Sequence, residues 1–408
     1  MGWSWRGWIA GVVVAVAGAG LTGCVPYDVV RLAGDETHGR NNGTAGSALA
    51  RAYLVEQLKP IAQGLNTAAS GDAAYMQALP GGTNVVAVIP GSDLADQYVV
   101  VGAHYDHLGD SCAAASCPQD TIYNGATDNA AGAAAVLAIG RALAAGPVKP
   151  RRSVVLALWD REEDGLLGSA AYVQHPLVPL AKTVGYVNFD IQGANLLPGL
   201  RTTSFAVASE TGGARLQDIV RGAIAEQALD TAVLSSIFGL YRSDYVNFIG
   251  AGVPTVFFTD ATGPCYHTVD DEIGIVDFDK LDDQIATSLA VTRELASTSA
   301  PPAFVAGTPV ATFDDAVAAA RIIDRAYADR GRFSAADQAT FTRLRADVRR
   351  IVADGRAAFG QDDVSTLLGD ASAFVDLLTH GTCNGYLSAS AQARVAAIQR
   401  ARAAAVGR

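Results

Sequence analysis

The sequence predicts an α/β fold, a doubly wound, mostly parallel sheet with helices on both faces, followed by an all-α C-terminal appendage. Three observations predict it. Short apolar runs without polar alternation recur from residue 84 to residue 259. Stretches of helical character separate them. Beyond a Ser/Pro-rich segment at 297–302 the strand-like runs stop and helical stripes take over.

The runs at 84–90, 98–103, 153–159, 183–191, 203–208 and 253–259 are rich in Val, Ile, Leu and Phe. Such runs suit strands buried on both faces, as in a parallel sheet covered by helices. The intervening stretches at about 44–63, 129–145, 165–175, 210–227 and 276–297 supply those helices. After residue 302, Phe341, Leu344, Val348, Ile351 and Val352 share one helical face, with Ser334 as N-cap. Val364, Leu367, Leu368, Ala371, Phe374 and Leu378 form a second stripe. The chain therefore divides into a leader at 1–23, a main α/β domain at 24–300 and a helical region at 301–408.

Composition narrows the function. The 408 residues are 50% hydrophobic and 17% charged, which suits a packed core rather than disorder. The net charge is −11 and no basic block occurs, which argues against a nucleic-acid surface. No internal repeat is visible, and no segment points to a protein partner.

Residues 1–23 read as an export signal. Arg6 precedes an apolar run from Ile9 to Leu21, shorter than the roughly 20 residues a spanning helix needs. The run ends in Leu21-Thr22-Gly23-Cys24, which resembles a bacterial lipobox and implies lipidation of Cys24 after cleavage. The expected location is the outer face of a bacterial membrane through a lipid anchor, or the periplasm or medium where Cys24 is not used. Export permits disulfides. Cys112, Cys117, Cys265 and Cys383 allow three pairings. Cys112 and Cys117 flank a short Ala-rich loop, and their local closure would leave Cys265 for Cys383. None has the C-x-x-C spacing of a zinc site.

Acidic and imidazole residues collect at strand ends. His104-Tyr105-Asp106-His107 follows the run at 98–103, and Glu162-Glu163 follows 153–159. Asp190 closes the run beginning at 183, His267 follows 253–259 after a Gly-Pro turn, and Asp128 directly precedes a helix. A parallel sheet brings such points together beyond the carboxyl ends of its strands. Two His and three carboxylates, one of them bridging, suit two dications such as zinc, with one further carboxylate free to handle protons. Ser169 and Ser243 lack the G-x-S-x-G elbow of a serine nucleophile.

The stretches Gly-Ala-His-Tyr-Asp-His-Leu-Gly (102–109), Gly-Ala-Thr-Asp-Asn-Ala-Ala-Gly (125–132), Arg-Glu-Glu-Asp-Gly-Leu-Leu-Gly-Ser (161–169), Asn-Phe-Asp (188–190) and Cys-Tyr-His-Thr (265–268) carry a resemblance. In that order they resemble the di-zinc aminopeptidase family of bacterial leucyl and Streptomyces-type aminopeptidases, over about residues 35–297. The resemblance implies two zinc ions per chain and a peptide substrate with a free N-terminus. By position, His104 and Asp190 would bind one zinc, Glu163 and His267 the other, and Asp128 both. Glu162 would be the general base, and Asp106 would accept the second ring N–H of His104. Tyr266 would donate to the developing oxyanion. A cis Asp128–Asn129 peptide bond is implied as well. Where the family has a second Cys five residues after the first, this chain has Asp270, which supports Cys383 as the partner of Cys265. Arg242-Ser243-Asp244-Tyr245 resembles a family segment beside the substrate pocket, so Tyr245 is read either as a specificity residue or as a buried packing aromatic. His107 lies near the site but outside the ligand set.

Three rival readings share these ligands. A glutaminyl cyclase uses one zinc and has a longer insertion after the Glu pair, whereas Gly165 follows here after one residue. A metallocarboxypeptidase needs a positive group for the C-terminal carboxylate, and Arg242 is the candidate. A catalytically silent binding protein on the same fold has no need of an intact base and ligand set.

Overall fold

A computed structural model describes residues 24–112, 120–307 and 310–406. The leader and Cys117 lie outside these residues. Eleven strands follow in chain order: β1 (Gln63–Gly64), β2 (Met76–Leu79), β3 (Gly82–Ile89), β4 (Leu94–His104), β5 (Gly109–Asp110), β6 (Ile122–Tyr123), β7 (Arg152–Trp159), β8 (Thr183–Phe189), β9 (Thr203–Val207), β10 (Asp230–Leu234) and β11 (Thr255–Thr259). Nine of them form one sheet in the order β1-β3-β7-β4-β8-β11-β9-β10, with β2 paired to β3. Strands β7, β4, β8 and β11 run parallel, and β3 and β9 join them antiparallel. The mostly parallel sheet expected from the unalternating apolar runs is therefore present, with antiparallel margins.

The alternation of side chains across the central strands explains those runs. Val99, Val101 and Ala103 point to one face, and Val100 to the other; all are fully buried. The first face is covered by α1 (Cys24–Leu32), α2 (Ala45–Leu58), α3 (Ala131–Ala144), α5 (Gly213–Ala225) and α7 (Phe278–Ser297). The second is covered by α4 (Leu167–Gln174), α6 (Tyr245–Gly250), α8 (Phe313–Tyr327), α9 (Ala335–Asp354) and α10 (Gln361–Thr379). A last helix, α11 (Ala389–Val406), packs Val395 against the first face.

The C-terminal helices are part of that second layer. Phe341, Leu344, Val348 and Ile351 are buried along α9, as its stripe predicts, and Ser334 caps it by accepting from the Asp337 N–H at 3.2 Å. These side chains share one hydrophobic core with Phe205, Val207 and Phe257 of the sheet. A Cys265–Cys383 disulfide adds a covalent tie across 118 residues, the pairing that local closure elsewhere would leave. Helix α1 lay outside every element read from the sequence. Its Val25 and Val29 are buried, and Asp28 accepts from Tyr53 at 2.6 Å and pairs with Arg141. Among the described residues no helix is long and apolar enough to cross a membrane.

Candidate metal centre

The four parallel strands end on one edge of the sheet, and the predicted ligands stand there. His104 is the last residue of β4, and Asp190 directly follows β8. Glu162 and Glu163 occupy the turn after β7, held because the Glu162 carbonyl accepts from the N–H groups of Gly165 and Leu166. The turn is close to its neighbours: a Cβ at Gly168 would collide with the Asp160 carbonyl. His267 lies in the loop after β11, and Asp128 in the turn before α3.

These side chains meet. His104 Nε2 is 3.3 Å from Asp128 Oδ1, 3.3 Å from Asp190 Oδ1 and 3.8 Å from Glu162 Oε2. His267 Nε2 is 3.0 Å from Glu163 Oε2 and 3.4 Å from Asp128 Oδ2. Asp128 thus gives one oxygen to each imidazole and stands between them. The ligand atoms of His104, Glu162 and Asp190 fall within 4.8 Å of one another, as do those of His104, Asp128 and Glu163. His104, Asp128, Glu162 and Asp190 are buried, while His267 is half-buried.

A second ring of groups holds the ligands. His104 Nδ1 lies 3.2 Å from the Asp106 main-chain oxygen and 3.5 Å from its carboxylate. That carboxylate also accepts from the Glu162 N–H at 3.1 Å and the Glu163 N–H at 3.3 Å, so one residue positions both strand-end motifs. Asp271 accepts from the Thr127 N–H at 3.0 Å, the Thr127 hydroxyl at 2.8 Å and the Asp128 N–H at 3.0 Å. The Asp128–Asn129 peptide bond is cis. Fully buried Arg40 donates to the carbonyls of Leu32, Tyr105, Asn124 and Gly125 and braces the turn before Asp128 from below. Burial lowers its pKa to about 10, and the nearby Asp271, Asp106 and Asp128 oppose that fall. His107 was outside the expected ligand set, yet its Nδ1 is 2.6 Å from Glu163 Oε1. The two oxygens of Glu163 are therefore divided between His107 and His267. Arg161, Ile191 and His267, each beside or within the site, have φ of 61°, 55° and 55°. A branched residue such as Ile191 rarely adopts that region, and such strain collects at functional sites.

The two residues expected beside the pocket part company. Arg242 is exposed on a rim shared with Asp190 and Ile191. Tyr245 is not on that rim: it is fully buried, stacked on Phe257 with ring centres 4.9 Å apart, and its hydroxyl donates to the Ser236 carbonyl. An aromatic at the first turn of α6 is drawn into the core rather than toward solvent. Tyr266 stacks face to face on His267 at 3.8 Å and lines a cleft with Asp128.

The charge balance fits dications. Burial pushes the Glu162 carboxyl well above the usual carboxylate range, and Asp190, Asp244 and Glu163 add to the rise against His104. Burial would also raise Asp128, but the His104 and His267 imidazoles more than reverse it. Burial lowers His267, and Asp128 and Glu163 outweigh it, bringing its pKa to about 10. Buried carboxylates in excess attract positive charge to the imidazole nitrogens. A mixed N/O donor set of this kind suits zinc.

Residues 84–292 match the sequence profile of peptidase family M28. The chain belongs to peptidase family M28. This M28 chain is 31% identical over 205 residues to a probable glutamate carboxypeptidase of Arabidopsis thaliana, a match covering 46% of the chain and 26% of that relative. It is 33% identical over 114 residues to leupeptin-inactivating enzyme 1 of Streptomyces exfoliatus, covering 28% of the chain and 23% of the relative. The chain thus spans about a quarter of the length of these curated relatives. The LapA aminopeptidase structure of Legionella pneumophila superposes with a TM-score of 0.56 at 19% identity, covering 71% of this M28 chain and 75% of that one. At that identity the likeness establishes the shared fold.

Proposed function

We propose that this chain is a di-zinc aminopeptidase that removes N-terminal residues from peptides. The reading is carried by the placement of Asp128, one oxygen toward each of two imidazoles, with Glu162 beside the same cluster. His104 and Asp190 would hold one zinc, Glu163 and His267 the second, and Asp128 both. When bound there, zinc supplies Lewis acidity that makes water nucleophilic near neutral pH and polarises the scissile carbonyl.

The chain's own groups carry the remaining steps. Glu162, anchored through its backbone to Asp106, takes the proton of the attacking water and returns it to the leaving amine. Tyr266, fixed flat on His267, aims its phenol at the oxygen on which negative charge develops. The acidic cluster attracts a free α-ammonium group, which limits cleavage to the first peptide bond.

Paired substrates test this reading. A leucyl peptide with a free N-terminus should be hydrolysed, and its N-acetylated form should be cleaved at least about 100-fold more slowly, an energy difference of about 2.7 kcal/mol. Metal analysis should return two zinc per chain. Equal cleavage of the N-acetylated peptide, with release of its last residue, would replace the aminopeptidase with a carboxypeptidase using Arg242. One zinc with cyclisation of N-terminal glutamine would replace it with a cyclase.

We also propose that the chain is exported and lipid-anchored at Cys24. The support is the Leu-Thr-Gly-Cys sequence together with the Cys265–Cys383 disulfide, which persists in oxidising compartments. Expressed in a bacterium, the full chain should partition into the detergent phase, and Cys24→Ser into the aqueous phase; identical partitioning of the two would refute the anchor.

A further inference from the structure

Two neighbouring spaces follow one another from Asp190 of the candidate metal centre. The nearer is bounded by Asp190, Ile191 and the rim residue Arg242. The farther is an apolar space between strands β9 and β10 at the margin of the sheet and helices α8, α9 and α10. Four residues, Phe238, Thr259, Ala261 and Val375, line both. The far wall is built by Ile322 and Ile323 of α8 and Ala371 and Phe374 of α10. These residues fall outside the 84–292 segment matched by the family profile.

We propose that the C-terminal helices form the deep end of the side-chain pocket for the substrate's first residue, and that Val375 and Ala371 set its length. The proposal rests on the aminopeptidase reading. The substrate's α-amine would stand at the acidic cluster and its scissile carbonyl near Tyr266. The first side chain then leaves past Asp190 and Ile191, where the nearer space begins. Short side chains end there. Long apolar ones pass between Phe238 and Val375 into the farther space, whose lining is aliphatic and aromatic apart from Thr259 and Asp370.

Asp370 is the one charged group on the lining of the farther space. It is buried and its Oδ1 accepts from Arg343 at 2.7 Å, a guanidinium it shares with Asp347. Its Oδ2 has no hydrogen-bond partner. That leaves one acceptor at the wall, which a tryptophan indole N–H or a bound water would satisfy. The ligand class is therefore a long apolar or aromatic N-terminal residue.

The test compares binding and turnover along a series of first residues. Kd values for alaninol, leucinol, phenylalaninol and lysinol, which keep the α-amine and side chain but have no amide to cleave, are measured by calorimetry. The kcat/KM values for the matching p-nitroanilides report the reaction. Wild type should favour phenylalanine over alanine at least about tenfold in both, since each buried methylene is worth a factor of about four. Ala371→Phe fills the deep space and should collapse that ratio while leaving alanine within about threefold. Val375→Ala widens the entrance and should raise the ratio for phenylalanine, which guards against a folding defect in the larger substitution. A ratio unchanged within twofold in both variants would overturn the proposal, as would a wild-type preference for lysine. Turnover of the alanine substrate in every variant separates this outcome from failure of the aminopeptidase reading, which would abolish all of them.

Discussion

Under the proposed di-zinc mechanism, Glu162→Gln should keep the wild-type zinc content and lose about 10²–10⁴ of kcat, with KM changed by less than about threefold. The amide is nearly the same size as the carboxylate and places no new bulk beside His104 Nε2, 3.8 Å away. It cannot accept the proton of water. Burial is the main cause of the raised proton affinity of Glu162, and the neighbouring Asp190, Asp244 and Glu163 raise it further. The turn that carries it would survive, because its anchors are the Glu162 and Glu163 backbone N–H groups on Asp106, not the side chain. Zinc content measured beside single-turnover kinetics checks the result. Turnover within tenfold of wild type would remove Glu162 from the role of base. Loss of zinc with loss of rate would make it a ligand, a role its position within 4.8 Å of His104 and Asp190 also permits.

Asp128→Ala should have the larger effect, leaving fewer than one zinc per chain and no measurable hydrolysis. Its two oxygens face His104 Nε2 at 3.3 Å and His267 Nε2 at 3.4 Å, so one substitution removes a donor from each metal position. The loss should exceed the ~10–100-fold in affinity that removing a supporting residue costs. The backbone of the turn stays held by Asp271 through the Thr127 and Asp128 N–H groups, which predicts a folded, metal-poor chain. Circular dichroism and metal analysis on the same sample separate that result from unfolding. Two tightly held zinc ions in the variant would show that Asp128 does not join the two positions.

Much of this arrangement was legible in the sequence because the sheet is parallel and covered on both faces. That forces the central strands to be apolar throughout, as in Val99-Val100-Val101 and Val154-Val155-Leu156, and makes the first polar residue after each strand conspicuous. His104, at the end of β4, and Asp190, just after β8, were readable for that reason, and Glu162 was readable as half of an acidic pair three residues beyond β7. The supports were not. Arg40 sits in a Gly- and Asn-rich stretch that resembles a solvated turn, and its partners lie as far as 85 residues away. Asp271 looks like half of an exposed acidic pair. His107 follows the end of β4, where side-chain alternation no longer tells which way a residue points, so its approach to Glu163 depends on tertiary structure alone. Strand β10 escaped notice because Asp230-Thr231-Ala232-Val233-Leu234 is a short marginal strand of mixed polarity. Tyr245 allowed two readings, a pocket wall or a buried packing aromatic, and its burial against Phe257 was decided by packing.

The bridge between Cys265 and Cys383 lies two residues from His267 and joins the ligand loop to the chain just beyond α10. A protease that nicks the connecting segment at 297–302 would therefore release nothing: both fragments stay covalently joined and share one apolar interior. Shedding the helices by such a nick is closed to this molecule while the bridge stands, and α8, α9 and α10 stay joined to the loop that carries His267.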